Sequence, residues 1–217
     1  MKFLIRGIIL LMSVAMFGCS KDNTTEDFAY SMDILVGKWC AYQVNTSTNG
    51  WQENPNPYTI KFSANGTFTM DGSADGTYTA TGNTIILYVN GEELYRYEIL
   101  KFEDNQMYVK QEDGTNDTEY KLSKYGMLKL LTIDVNTHEP LSGVLIHTQS
   151  QGCSLLDGIQ GTTDTDGMCN IPYPCPAVVS ILADYYPDSS TTCSGATTLR
   201  LKAGETMEAT IIIYYLE

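Results

Sequence analysis

The sequence predicts an all-β protein, a small eight-stranded barrel followed by a seven-stranded β-sandwich. Three observations carry this. Turn-forming pairs recur through residues 34–125: Asn65-Gly66, Gly72 to Gly76, Gly82-Asn83, Asn90-Gly91, Asp104-Asn105 and Asp113-Gly114. Their spacing of about eight to twelve residues is that of successive hairpins. The runs between them are rich in β-branched and aromatic residues and alternate, as in Ile60/Phe62, Phe68/Met70 and Met107/Val109. That is the pattern of strands with one buried face. No stretch of the chain beyond its first residues repeats apolar positions at the helical period.

Met1 to Ser20 opens the chain. Lys2 and Arg6 give a positive start, Gly7 to Phe17 is an apolar run too short to span a bilayer, and Gly18 precedes Cys19. The segment resembles a bacterial lipoprotein signal. The resemblance implies removal of residues 1–18 and acyl chains on Cys19. It also implies a lipid anchor in the outer membrane, facing the periplasm or the cell surface. Several acyl chains on one residue hold a protein at a bilayer stably, where a single chain does not.

The chain carries 13 basic and 26 acidic residues, a net charge of −13. Loss of residues 1–18 takes Lys2 and Arg6 with it and leaves −15. The excess is spread along the chain. An acidic surface repels phosphate backbones, which excludes nucleic acid as a partner. It also disfavours lying flat on an anionic membrane, so the lipid makes the membrane contact. Residues 19–33 form a tether, whose stretch Ser20 to Asp27 is polar and acidic without an apolar residue. It reads as a spacer. An acidic stretch after the lipid cysteine also resembles the tags that send some lipoproteins to the cell surface.

Residues 34–125 are the barrel. Strands are expected over Val36–Thr46, Tyr58–Phe62, Thr67–Met70, Thr77–Ala80, Thr84–Val89, Leu94–Phe102, Gln106–Gln111 and Thr118–Ser123. A meander of hairpin-linked strands with one dry face removes its exposed edges by closing. Leu35-Val36-Gly37-Lys38-Trp39 resembles the Gly-x-Trp signature of lipocalins. Tyr58 to Phe62, Gly66-Thr67-Phe68 and Tyr120-Lys121-Leu122 are similar to the small lipocalin-like domains of bacterial lipoproteins. The likeness implies that Gly37 and Trp39 build the closed end of the barrel. There a basic residue of the last strand, Lys121 or Lys124, lies over the indole, a favourable cation–π arrangement. Most expected strands are short, about six residues, and an eight-stranded barrel of that size is either filled by its own side chains or holds a small apolar pocket. Trp51 and Tyr58 are the ligand-binding candidates. Trp51 sits in the first loop, Asn49 to Pro55, which borders the open end in lipocalins. Its indole either covers a sugar or apolar ligand or folds back onto the rim.

Residues 126–217 are the sandwich. Strands are expected at Met127 to Val135, Pro140 to Ile146, Gly161 to Cys169, Ala177–Ala183, Thr197–Lys202 and Met207–Tyr215, about seven in all. Pro140-Leu141-Ser142-Gly143-Val144-Leu145-Ile146 and Thr163-Asp164-Thr165-Asp166-Gly167 resemble the carboxypeptidase regulatory-like domains, relatives of transthyretin. The resemblance implies an immunoglobulin- or transthyretin-like β-sandwich, an accessory module without catalytic residues. Asp164-x-Asp166-Gly167 lacks the further oxygens of a calcium loop and is expected to cap a turn.

With Cys19 lipidated, five cysteines remain. Cys153, Cys169, Cys175 and Cys193 are expected to form two disulfides, an oxidising compartment favouring them, with three pairings open. Cys40 is expected to be a buried free thiol. His138 and His147 stand apart, and no spacing fits a zinc site, so neither metal nor cofactor is expected. No Gly-x-Ser-x-Gly elbow, phosphate loop or His-Glu-x-x-His motif is present. The expected function is that of a non-catalytic binding module for a glycan, a protein or a small apolar ligand. The alternative is a structural or docking subunit of a larger outer-membrane assembly.

Overall fold

Alternating hairpin strands close on themselves in this protein. The computed structural model describes residues 32–46, 49–71, 74–112, 117–188 and 190–215. Cys19, the signal segment and most of the tether lie outside them.

A short helix, α1 (Met32–Leu35), leads into β1 (Gly37–Thr46), β2 (Gly50–Phe62), β3 (Thr67–Met70), β4 (Ala74–Thr81), β5 (Thr84–Val89), β6 (Glu92–Glu103), β7 (Gln106–Glu112) and β8 (Thr118–Lys124). Each pairs antiparallel with the next, and β1 pairs with β8, so the eight strands form a closed barrel. The turns explain the register. Asn90 and Gly91 have φ of 53° and 82°, and Asp104 and Asn105 have 49° and 57°. Two consecutive residues at positive φ match the right-handed twist of a two-residue hairpin. Inward positions then fall on one parity, placing Trp39, Ile60, Phe62, Phe68, Leu87 and Met107 among the residues of one buried cluster.

One expected loop is a strand. Residues 50–57 belong to β2, and Gly50 pairs with Thr46. The turn signals of 49–57 (two prolines and three asparagines) reflect a bulge instead. Ala41 pairs with Tyr58 while Gln43 pairs with Glu53, so residues 54–57 stand opposite Tyr42 alone. Pro55 and Pro57 lack amide hydrogens, which suits a segment outside the ladder. The buried Asn54 side chain repairs the gap, donating from Nδ2 to Ala41 O at 2.8 Å.

The second module contains β9 (Gly126–Asp134), β10 (Leu145–Gln151), β11 (Gly158–Thr162), β12 (Met168–Tyr173), β13 (Ala177–Tyr185), β14 (Cys193–Leu201) and β15 (Thr206–Tyr215). They form one mixed sheet in the order β11-β10-β13-β14-β15-β9-β12, with β15 parallel to β9. β14 and β15 pair only at Cys193↔Tyr215 and Ser194↔Tyr214, so the ladder is short at that corner. The sheet lines a core that includes Leu128, Leu130, Ile146, Tyr173, Ile181 and Ile211. Asp164 caps its turn: Oδ1 accepts from the amides of Asp166 at 3.0 Å and Met168 at 2.8 Å.

The first strand serves two cores. β1 is buried on both sides of its pleat, Trp39 and Ala41 facing the barrel interior while Cys40 and Tyr42 pack into the cluster of the second module. Only Tyr125 separates β8 from β9. Gly204 N donates to Lys124 O at 2.9 Å, Tyr125 N to Lys38 O at 2.8 Å, and Ser154 N to Glu53 Oε1 at 2.7 Å. Tyr173 lies against Gly126, where a Cβ would come within 2.2 Å of its ring, and its hydroxyl donates toward Lys202 O and Glu205 O.

Candidate functional site

The barrel has a plugged end and an open end. At the plugged end Trp39 is fully buried, and its Nε1 donates to Leu35 O at 2.7 Å, which ties α1 across the barrel. Lys124 Nζ lies 5.6 Å from the Trp39 ring centroid. Gly37 makes room for it: a Cβ there would stand 2.8 Å from Lys124 Cε, and its φ of +134° disfavours any side chain. Of the two lysines expected above the indole, Lys124 is the one in place. Lys121 points to the outer wall, over the rings of Tyr42 and Tyr108. Parity explains this, since Leu122 faces inward and residue 124 shares its side.

Tyrosines frame the open end. Tyr58 on β2, Tyr95 and Tyr97 on β6 and Tyr120 on β8 line a cleft of about 480 Å³, with Val44, Met70 and the bulge residues Asn54 to Asn56. Its rim adds Asp71 and Gln111. Tyr58 and Tyr120 meet edge to face at 5.5 Å, and the Tyr58 and Tyr97 hydroxyls are 3.4 Å apart. Burial raises the pKa of both hydroxyls, and the neighbouring phenol raises that of Tyr58 further. Both therefore stay protonated at neutral pH, and with one hydroxyl donating to the other, one hydrogen of the pair is left to donate. Beneath them Ile60, Leu87, Ile99 and Val109 fill the interior. These side chains pack the barrel below its mouth.

Tyr58 lines the cleft. Trp51 does not: its indole stands edge-on to Tyr108 at 5.6 Å, 36% exposed. Tyr108 alternates with the inward Met107 and Val109, so this contact is on the outer wall. Tyr95, Tyr97 and Tyr120 were missed. A signal existed, because Tyr95 and Tyr97 share one face with the inward Ile99.

The cysteines differ from expectation in number of bonds. Cys153 and Cys175 form one disulfide, while Cys169 and Cys193 are buried free thiols, so there is one bridge rather than two. All four lie in the same apolar core, where a thiol packs as a small hydrophobe. Cys40 is also free and buried. His147 Nε2 is 3.6 Å from Asp184 Oδ2, and His138 occupies a turn at φ 60°. Among the described residues no group of three or more His, Cys, Asp or Glu side chains is placed to hold a metal ion. No helix among them is long and apolar enough to cross a membrane.

The fold and its mouth thus define an all-β protein with a tyrosine-lined barrel opening fused to a seven-stranded sheet. No family model and no curated protein matches the chain. Among solved structures it is similar to the C-terminal fragment of the pilus adhesin SpaC from Lactobacillus rhamnosus GG, at 10% identity and a TM-score of 0.29, over 87% of this chain and 93% of that one.

Proposed function

We infer that the protein is a lipid-anchored envelope lipoprotein whose barrel mouth binds a short neutral glycan without transforming it. The observation that carries the reading is the ring of Tyr58, Tyr95, Tyr97 and Tyr120 above a filled barrel. Aromatic faces pack on the apolar side of a sugar, and phenol hydroxyls meet its oxygens. Asn56 and Gln111 sit at the same rim. A purely apolar ligand would strip water from these amides and leave them unpaired, which costs more than the contact returns. A glycan pairs them.

The pattern of Met1 to Ser20 supports export and acylation at Cys19, placing the protein in the outer membrane with its modules facing the periplasm or the cell surface. The Gly37–Trp39–Lys124 arrangement supports the lipocalin-like reading of the barrel. The short β14–β15 ladder of the second sheet supports reading that module as a transthyretin-like sandwich of the carboxypeptidase regulatory-like kind. Such a module serves as a rigid base.

Titration of the purified protein with neutral oligosaccharides, followed by intrinsic fluorescence, tests the reading. Saturable binding is expected, lost in Tyr95→Ala and Tyr120→Ala and retained in Trp51→Ala. Binding that survives both tyrosine substitutions, or binding of fatty acids alone, would overturn it.

A further inference from the structure

A second cleft lies between the two modules and has a different chemistry. It measures about 680 Å³ and contains no aromatic side chain in its lining. One wall is the β6–β7 turn, Asp104 to Gln106. The other is the outer face of the second sheet, where Gln151, Val178 and Arg200 stand in one lateral row: Gln151 pairs with Val178 on β13, and Val178 with Arg200 on β14. With neighbouring strands about 4.8 Å apart, Gln151 and Arg200 are about 10 Å apart, one on each side of Val178.

The walls are fixed before any ligand arrives. Asn105 Nδ2 donates to Ala203 O at 3.1 Å, and Gly204 N to Lys124 O at 2.9 Å. Gly204 permits this approach, since a Cβ there would be 3.0 Å from Asn105 Cγ. Tyr42 donates to Gln106 Oε1 at 2.7 Å, which holds that amide and leaves its Nε2 uncommitted.

Arg200 is the cation on this cleft that no carboxylate or ring holds. The other described cations pair with carboxylates or lie over rings, and only Lys61 and Arg200 do neither. In a chain with 26 acids and 13 bases, an arginine without a carboxylate was not placed by ion pairing. Lys202 and Glu205, also on the cleft, satisfy each other at 3.6 Å. Asp104 is the remaining charge, on the opposite wall.

We propose that this cleft binds a carboxylated sugar, a uronate. The planar guanidinium of Arg200 takes the carboxylate in a paired, charge-assisted contact. The Gln151 and Gln106 amides and the Asp104 carboxylate meet the ring hydroxyls, and Val178 supports the apolar ring face. A phosphate fits less well, because Lys202 and Glu205 cancel each other and Asp104 repels a dianion that only Arg200 attracts. A peptide strand would need an unpaired sheet edge, whereas a turn and a sheet face build this cleft.

Calorimetric titration of the purified protein with a glucuronate-terminated disaccharide, its neutral glucose counterpart and a Glu-Glu dipeptide tests the proposal. The uronide is expected to bind and the neutral sugar to bind this cleft far more weakly. Arg200→Gln should weaken the uronide about tenfold or more, the loss of one charge-assisted pair. Arg200→Lys should recover part of the affinity, and Tyr120→Ala at the barrel mouth should leave it unchanged. Arg200 is exposed, so its variants should melt with wild type. No uronide binding, equal affinity in Arg200→Gln, or binding of the dipeptide in place of the uronide would overturn it.

Discussion

Lys124 Nζ stands 5.6 Å from the centroid of the buried Trp39 ring, the two residues being direct partners across the β1–β8 seam that closes the barrel. The seam, the indole and the cation therefore form one unit. Trp39→Ala should cost about 3–5 kcal/mol, as truncation of a buried aromatic does. Gly37→Ala should also destabilise, through its φ of +134° and the contact with Lys124 Cε. Lys121→Ala, on the outer wall, should leave the environment of Trp39 unchanged. Thermal melts and near-UV circular dichroism of the three variants check this.

The cysteine chemistry is countable. In denaturant without reductant, alkylation should label Cys40, Cys169 and Cys193, and reductant should add Cys153 and Cys175. Mass spectrometry reads the increments. The bridge spans a sequence separation of 22, a loop whose closure stabilises by about 3 kcal/mol. Reduction should therefore lower the melting temperature. In the native protein at mildly alkaline pH Cys40 should label slowly, because burial, and secondarily the charge of Asp71, push its thiol up to about 12.

Asp134 and Tyr215 make a pH-linked clasp between β9 and β15. The Tyr215 hydroxyl donates to Asp134 Oδ2, and the amides of Asn136 and Thr137 donate to Oδ1. The Tyr215 bond first, then the amides, hold the Asp134 pKa below its ordinary value. A carboxyl depressed in the folded state contributes stability above its unfolded pKa and loses it as pH falls through the folded value. The same bond raises Tyr215 to about 12, so its contribution is complete below the ordinary phenol value near 10 and disappears as pH rises toward 12. Tyr215→Phe should be less stable at neutral pH, with the difference shrinking in strong acid. Denaturant midpoints measured across pH for both proteins would show it.

The proposed anchoring rests on Cys19. Cys19→Ala should give a protein that is uncleaved or soluble and that leaves the detergent phase on phase separation of envelope extracts. Unchanged mass and partitioning would remove the lipoprotein reading.

The barrel was legible because its information is local. Asn90-Gly91 and Asp104-Asn105 specify hairpins by their own backbone preferences, and Phe68/Met70 or Met107/Val109 assign their inward faces by parity alone. The strand Thr84–Val89 was read with the bounds it has, and Thr67–Met70 likewise. Parity also contained the choice between Lys121 and Lys124, since residue 124 shares its side of the strand with the apolar Leu122. The mouth was only partly legible. Tyr58 was named, while Asn54-Pro55-Asn56-Pro57 looked like a loop, because a bulge uses the same residues as a turn and differs only in what lies across from it.

What the sequence determined by itself was the all-β class, the closing eight-strand meander, the break near Tyr125 and the turn cap at Asp164. Each depends on side-chain alternation or on φ preferences within a few residues. Only the tertiary structure decided that Cys153 bonds Cys175, that Cys40 and Tyr42 serve the core of the neighbouring module, and that Arg200 faces Asp104 across a cleft. These are relations between residues far apart in the chain. A buried thiol and a buried tyrosine read the same in sequence whichever core receives them. An exposed arginine likewise does not announce what stands opposite, because the packing of one module on the other sets that distance.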